Sequence, residues 1–433
     1  MIEQVGNKYL NWGLYCVALG ALALKANTVT VMVFIIITFV LSLKKPLFSI
    51  CSFQCALIAN SYLGDFYYLN LALCGIVIVS FIYYVKSFRF LDKRDVPLIV
   101  AFIYSMILSV TNGFDNILVV AIFMLIVVIA RVMCRCNIIS LKEIIISMAI
   151  TSCFSGVVGL MSNAYGLSYG AGSVSRFLSS YGDPNFFCMF SVAAIVGLVY
   201  FKASKLKVAA IFVLSIFCVL TFSKSMLVLA VLNIIIFLGK STIDVKNKIK
   251  WIVLTVVGVI ALNWVVENLY DQNILVNYIF RFTQESAGTS GINSLTTGRS
   301  EVQKAFLNYY FNSQSIVKML FGNGYIGTRN IAHAIGLTVD TTHMVYLQIL
   351  MDFGIIGSLI YLYVFIRGFV EAGMIQKHIL VTYFFAMFSL SWQFTIPYFG
   401  FYLLLFNDKV LETEIDDEEV YINGEEGSLL SGD

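Results

Sequence analysis

Charge is what this chain has least of. Only 12% of its 433 residues are Asp, Glu, Lys or Arg, against roughly 25% in an ordinary soluble domain. Histidine is scarcer still, at three residues. His333 and His343 stand ten residues apart with no carboxylate at ligand spacing, so no metal-binding pattern forms. The nine cysteines are scattered, and the one close pair, Cys134 and Cys136, has no second pair beside it. That excludes a disulfide framework or a zinc site and leaves them as small core residues. There is no glycine-rich nucleotide loop after a strand and no hydrolase elbow. A repeat of 20 to 50 residues is absent, which excludes a solenoid. Matched, broken spans in two halves are also missing, which argues against an inverted-repeat transporter. The N-terminus has neither a basic leader nor a small-residue cleavage site, so the first apolar run is expected to be retained.

What fills the chain instead is apolar sequence, 59% of it. Continuous runs of about 15 to 20 apolar residues read as membrane-crossing helices, whereas a barrel would show short alternating segments. The spans fall at 10–24, 28–43, 46–63, 67–85, 96–111, 115–133, 143–162, 185–201, 206–222, 225–239, 249–266, 345–366, 378–391 and 393–406. The first two and last two are short, so the expectation is an all-α polytopic membrane protein of about twelve to fourteen spans. The membrane domain covers 1–411, and an acidic, aperiodic tail at 412–433 reads as a solvated cytoplasmic segment.

Basic residues give the orientation, because Lys and Arg in short loops resist translocation. Alternate loops carry Lys44 and Lys45; Lys86, Arg89, Lys93 and Arg94; Arg131, Arg135 and Lys142; Lys202, Lys205 and Lys207; Lys240, Lys246, Lys248 and Lys250; and Arg367 with Lys377. Their partners on the other side hold little beyond Lys25 and Lys224. Both termini are therefore expected in the cytoplasm. The net charge of +3 reflects this topology and carries no nucleic-acid reading.

Two hydrophilic stretches lie on the outer side, at 162–184 and 267–344. In the larger, Thr283 to Gly298 is rich in Ser, Thr and Gly and is expected to be flexible. From Ser300 to Phe321 apolar residues recur at helical spacing (Val302, Ala305, Phe306, Tyr309, Tyr310, Ile316, Val317, Leu320), which predicts an amphipathic helix resting on the bilayer or the bundle. The glycine-punctuated turn FGNGYIG follows.

The spans are nearly free of ionisable residues, which directs attention to the outer loops. Arg176 stands on the outer side against the topology rule. It can grip a phosphate with its planar fork, or pair with Asp183, or solvate a helix end. Asp183-Pro184-Asn185 reads as an ordinary helix start, with Asp at the cap and Pro at the first position. Lys224 either holds an anion or snorkels. Arg299 opens the amphipathic helix, a poor place for a cation unless an anion joins it. His343 heads the segment that re-enters the membrane; it is a natural general base near neutrality or a capping group. His333 is less anchored, and His378 is placed in a cytoplasmic loop.

The order of these pieces is informative. An outer Arg ahead of GDPNFF, a span ending in SKS, GR at a helix start, FGNGYIG, and then H-x-x-Y-L-x-x-L-x-x-x-G-I-x-G form one series. Over Arg176 to Ile366 the chain resembles the O-antigen polymerase and O-antigen ligase superfamily of bacterial polysaccharide enzymes. The resemblance implies a GT-C-like helical fold in the inner membrane, with the large loop in the periplasm. It also implies transfer of a glycan from undecaprenyl diphosphate to an acceptor hydroxyl, with inversion and with neither metal nor cofactor. His343 would take the acceptor proton, and Arg176, Arg299 and Lys224 would bind the diphosphate. Family members commonly carry Asn where this chain has Met344, and Arg where it has Lys224. A polymerase acting on a second lipid-linked repeat is the reading preferred over a ligase acting on lipid A core; a lipid-linked oligosaccharide flippase is the alternative of another class. A separate chain-length regulator is the implied protein partner, beside membrane lipid.

Overall fold

The computed structural model describes residues 2–59, 62–63, 67–85, 93, 95–162, 165–167, 175–201, 204–223, 233, 299–337, 339–390 and 396–405, and most of these are helical. The first nine helices are α1 (Ile2–Leu24), α2 (Thr28–Ser42), α3 (Leu47–Ile58), α4 (Tyr67–Tyr84), α5 (Val96–Ser109), α6 (Phe114–Arg135), α7 (Leu141–Met161), α8 (Pro184–Val199) and α9 (Lys205–Leu220). After them come α10 (Arg299–Asn312), α11 (Ile316–Phe321), α12 (Gly327–Ala334), α13 (Val345–Glu371), α14 (Met374–Ala386) and α15 (Ile396–Leu404). Among the described residues three helices, α6, α7 and α13, are long and apolar enough to cross a membrane; shorter apolar stretches of 10–17 residues include Leu10–Leu24 in α1 and Tyr68–Tyr84 in α4. Helices occupy the positions of the expected spans over the described residues, but only these three are both long and apolar enough to cross a membrane. The expected spans 225–239 and 249–266, the Thr283–Gly298 stretch and the tail lie outside the described residues, with Asn233 the single exception.

Local chemistry explains where helices begin. Each start leaves backbone N–H groups without partners, a costly state in apolar surroundings. Asn27 and Thr30 close a reciprocal capping box at α2, with both bonds at 2.9 Å. Ser140 and Glu143 do the same at α7. Asp183 accepts from the backbone N–H of Asn185 at 2.7 Å and of Phe186 at 3.2 Å, with Pro184 at the first position of α8.

Between helices, hydrogen bonds supplement close packing, as expected where hydrocarbon on all sides weakens the hydrophobic drive. Ser147 of α7 donates to Gln54 of α3 at 2.5 Å, and Ser52 of α3 donates to Tyr15 of α1 at 3.0 Å. Further along α7, Ser155 meets Ser180 at 2.9 Å. At one end of the bundle Asp95 is buried between Arg131 and Arg135, each within 2.6 Å. Arg131 also donates to the carbonyls of Tyr402 and Leu405, where a cation suits the negative end of α15. These buried charges lie at helix ends and tie them together.

The expected single helix from Ser300 to Phe321 is two helices. Residues 313–315 break it, and Ser315 caps α11. The break separates the two apolar sets. Phe306 and Tyr310 of α10 are buried with Ile331 and Ala332 of α12 and Leu347 and Met351 of α13. Ile316 and Val317 of α11 point outward, 75% and 66% exposed. FGNGYIG then folds into a notch of α13, whose backbone departs from helical geometry at Gly354 (φ 66°). Gly322 (φ 89°) and Gly354 approach so closely that a Cβ on either would overlap the other segment's backbone. Asp352 locks the fit: its side chain accepts from the N–H of Thr328 at 2.7 Å and the Thr328 hydroxyl at 2.5 Å, and its carbonyl accepts from Gly324 at 2.7 Å.

One departure from an all-α chain falls in the smaller hydrophilic stretch, 162–184. Tyr165–Leu167 (β1) and Ser175–Phe177 (β2) pair antiparallel, with Gly166 opposite Arg176.

Candidate functional site

Five elements deliver side chains to one end of the helical bundle: β2, the start of α8, the end of α9, the start of α10, and the segment before α13. Arg176, on β2, donates from Nε to the carbonyl of Thr221 at 2.9 Å and from Nη2 to Oδ1 of Asn185 at 3.3 Å. Thr221 follows the last turn of α9. Asn185 is in the first turn of α8 and also accepts from Ser223 Oγ at 2.7 Å. The hairpin arginine thereby fastens the ends of two helices. Lys224 lies outside the described residues, though Ser223 just before it belongs to this cluster.

Arg299, expected just ahead of a helix beginning at Ser300, is itself the first residue of α10. Its Nη1 donates to the carbonyl of Ser389 at 2.8 Å, in the turn that ends α14. Two residues earlier in that turn, the Met387 carbonyl accepts from the N–H of Val345 at 2.9 Å. One short turn therefore fixes both the start of α10 and the start of α13. The core shared by α10, α12 and α13 fixes the same geometry from behind.

His343 immediately precedes α13 and adopts a left-handed backbone, φ 53°, a rare conformation for a non-glycine residue. Thr342 holds it: the buried hydroxyl donates to the Met344 carbonyl at 2.7 Å and accepts from the Met344 N–H at 3.3 Å. Met344 occupies the cap position of α13 and makes no side-chain cap bond, so His343 does not cap the helix. Its imidazole is held well below its ordinary range, at about 4. Burial is the main cause, the Arg299 guanidinium adds to it, and the Asp183 carboxylate opposes it. At neutral pH the ring is uncharged and able to accept a proton.

His343 therefore lies within the electrostatic reach of both Arg299 and Asp183, and Arg176 reaches the same corner through Asn185. This joins the end of the smaller hydrophilic stretch to the end of the larger one. Asp183 has two tasks, capping α8 and opposing the positive charge near His343. The cap reading was sufficient to explain the residue from sequence, so its second task had no separate signal. The Ser389 contact uses a backbone carbonyl, which no residue type announces.

The remaining histidines are placed elsewhere. His333, on α12, faces Asp340 at 3.0 Å, with Arg329 at 3.4 Å from the same carboxylate, all three well exposed. His378 is not in a loop: it lies buried within α14, its Nδ1 2.6 Å from the Tyr200 hydroxyl. Among the described residues no group of three or more His, Cys, Asp or Glu side chains is arranged to hold a metal ion. In comparison with known proteins, the chain matches no family model and no curated protein.

Proposed function

We propose that this protein is a polysaccharide polymerase of a bacterial inner membrane. It joins glycan repeats carried on undecaprenyl diphosphate, at the periplasmic face, with both chain termini in the cytoplasm. The observation that carries the reading is geometric: one turn after α14 anchors both the Arg299 guanidinium, through the Ser389 carbonyl, and the start of α13 just past His343, through the Met387 carbonyl, and the uncharged imidazole lies within the electrostatic reach of that guanidinium. A dianionic lipid diphosphate would find its counter-charge in that guanidinium.

The chemistry follows from the residues. The acceptor hydroxyl of a second lipid-linked repeat loses its proton to the His343 ring. Its oxygen forms a bond to the anomeric carbon of the donor sugar, with inversion. The bond from that carbon to the diphosphate oxygen breaks, and the electron pair leaves on undecaprenyl diphosphate. Arg299 and Arg176 stabilise the charge that develops on the leaving group, in a setting of low dielectric. Lys224, next to Ser223, is assigned to the same anion. A positioned base contributes about 10²–10⁴-fold. Bound diphosphate also raises the proton affinity of His343, so the donor itself tunes the base toward neutrality. A GT-C-like fold and a chain-length regulator as partner belong to the same reading.

Purified protein in lipid nanodiscs, given lipid-linked repeats alone, is expected to make a ladder of polymer lengths. Polymer formed only when lipid A core is added would replace this reading with a ligase. Movement of repeats across sealed vesicles without any polymer would replace it with a flippase.

A further inference from the structure

Phe388 is the residue between two anchored neighbours. The carbonyl of Met387 holds the start of α13, two residues past His343, and the carbonyl of Ser389 holds the Arg299 guanidinium. Phe388 itself is 59% exposed. Its ring packs on Tyr346, centroid to centroid 4.9 Å and tilted by 54°. Tyr346 is held in turn, its hydroxyl donating to the Phe384 carbonyl at 3.2 Å. An exposed aromatic step on a rigid two-ring base therefore stands where the supports of Arg299 and His343 converge.

The proposed reaction places one substrate group in that interval. If the diphosphate lies on Arg299 and the acceptor oxygen at His343, the sugar attached to the diphosphate must bridge them. We propose that the exposed ring of Phe388, backed by Tyr346, is the platform on which this donor sugar lies, its C–H face against the aromatic face. The inference rests on the polymerase reading and adds a specificity residue to it. A flat apolar platform orients the pyranose ring for in-line attack and favours sugars that present an unbroken axial C–H face. Those with an axial hydroxyl on that face fit less well.

The test is steady-state transfer with purified lipid-linked repeats and four variants, alongside His343→Ala and Arg299→Ala. Phe388→Ala is expected to raise KM for the donor roughly ten-fold, as loss of one stacking contact does. Phe388→Trp and Phe388→Tyr are expected to restore it. Phe388→Leu keeps apolar bulk without a flat face and is expected to behave like Phe388→Ala; near-wild-type kinetics for it would reduce the residue to packing and overturn the proposal. The same series on a donor with a short farnesyl chain separates sugar from lipid. A penalty that persists supports the sugar platform, and one that vanishes means that the ring touches the prenyl chain, which overturns it. Unchanged kinetics in Phe388→Ala with activity lost in His343→Ala would sink this inference and leave the polymerase reading standing. Full activity in His343→Ala and Arg299→Ala would remove the polymerase reading itself.

Discussion

Arg299 donates its guanidinium N–H to the carbonyl of Ser389 at 2.8 Å, so the first residue of α10 is pinned to the last turn of α14. A cation at a helix start opposes the helix dipole by about 0.3–1 kcal/mol. The contact holds it there nonetheless, beside His343, where a bound anion would reverse the sign of that interaction.

Function and stability should therefore separate at this position. Arg299→Gln is expected to cut kcat/KM for the lipid-linked donor by roughly 10²–10³-fold, the usual effect of losing one charge-stabilising donor. Its thermal midpoint should move little, because the lost Ser389 bond, about 1 kcal/mol, is offset by relief at the dipole. Parallel kinetics and thermal unfolding in detergent check this. Arg299→Lys should recover only part of the activity, having the charge without the fork.

The depressed proton affinity of His343, about 4, makes two pH predictions. Its ordinary value is about 6.5, so its contribution to stability is complete above pH 6.5. That contribution falls as acid is added toward pH 4, by roughly 1–3 kcal/mol in all, and changes no further below that. His343→Gln should flatten this part of the curve. For activity, the acid limb of kcat/KM reports the free enzyme and should lie near pH 4. The limb of kcat reports the donor complex and should lie higher, because the diphosphate favours the imidazolium. Full pH–rate profiles measure both.

Asp352 is expected to act on folding. Asp352→Ala removes the acceptor of two Thr328 bonds and leaves a buried N–H and hydroxyl unsatisfied, at a cost of about 3 kcal/mol. The FGNGYIG turn should loosen from the α13 notch. Measured by thermal shift, the variant should melt well below wild type, and Asp352→Asn should fall between them.

Orientation is testable by labelling. With the proposed topology, an Asp340→Cys variant lacking competing thiols should react with a membrane-impermeant maleimide added to intact spheroplasts. Lys142→Cys should react only after permeabilisation. The reverse pattern would invert the topology and place His343 on the cytoplasmic side.

Much of the fold was legible in the sequence because apolar runs and their caps are local signals. The α8 start follows directly from Asp183 and Pro184, and Asn27 and Ser140 prove to cap α2 and α7 in the same way. Arg299 was legible at a helix start, and His343 at the head of α13. What was not legible depends on long-range contacts. The break at 313–315 puts Phe306 and Ile316 on different surfaces, yet the apolar spacing runs through it without a stumble. Asp352 is satisfied by Thr328, 24 residues earlier, a contact that no local pattern announces. The Arg176–Thr221 and Arg299–Ser389 bonds end on backbone carbonyls, which every residue possesses. The short hairpin around Arg176 had no alternating pattern long enough to announce strands.

The account turns on His343 as the base at a diphosphate site, and one comparison tests it most directly. Wild-type and His343→Ala protein, matched for folded amount, are given purified undecaprenyl-diphosphate-linked repeats, and the products are separated by length. The account predicts a ladder from the wild type and a loss of at least about 10²-fold in the variant, with donor binding retained through Arg299. An undiminished ladder from His343→Ala would contradict it.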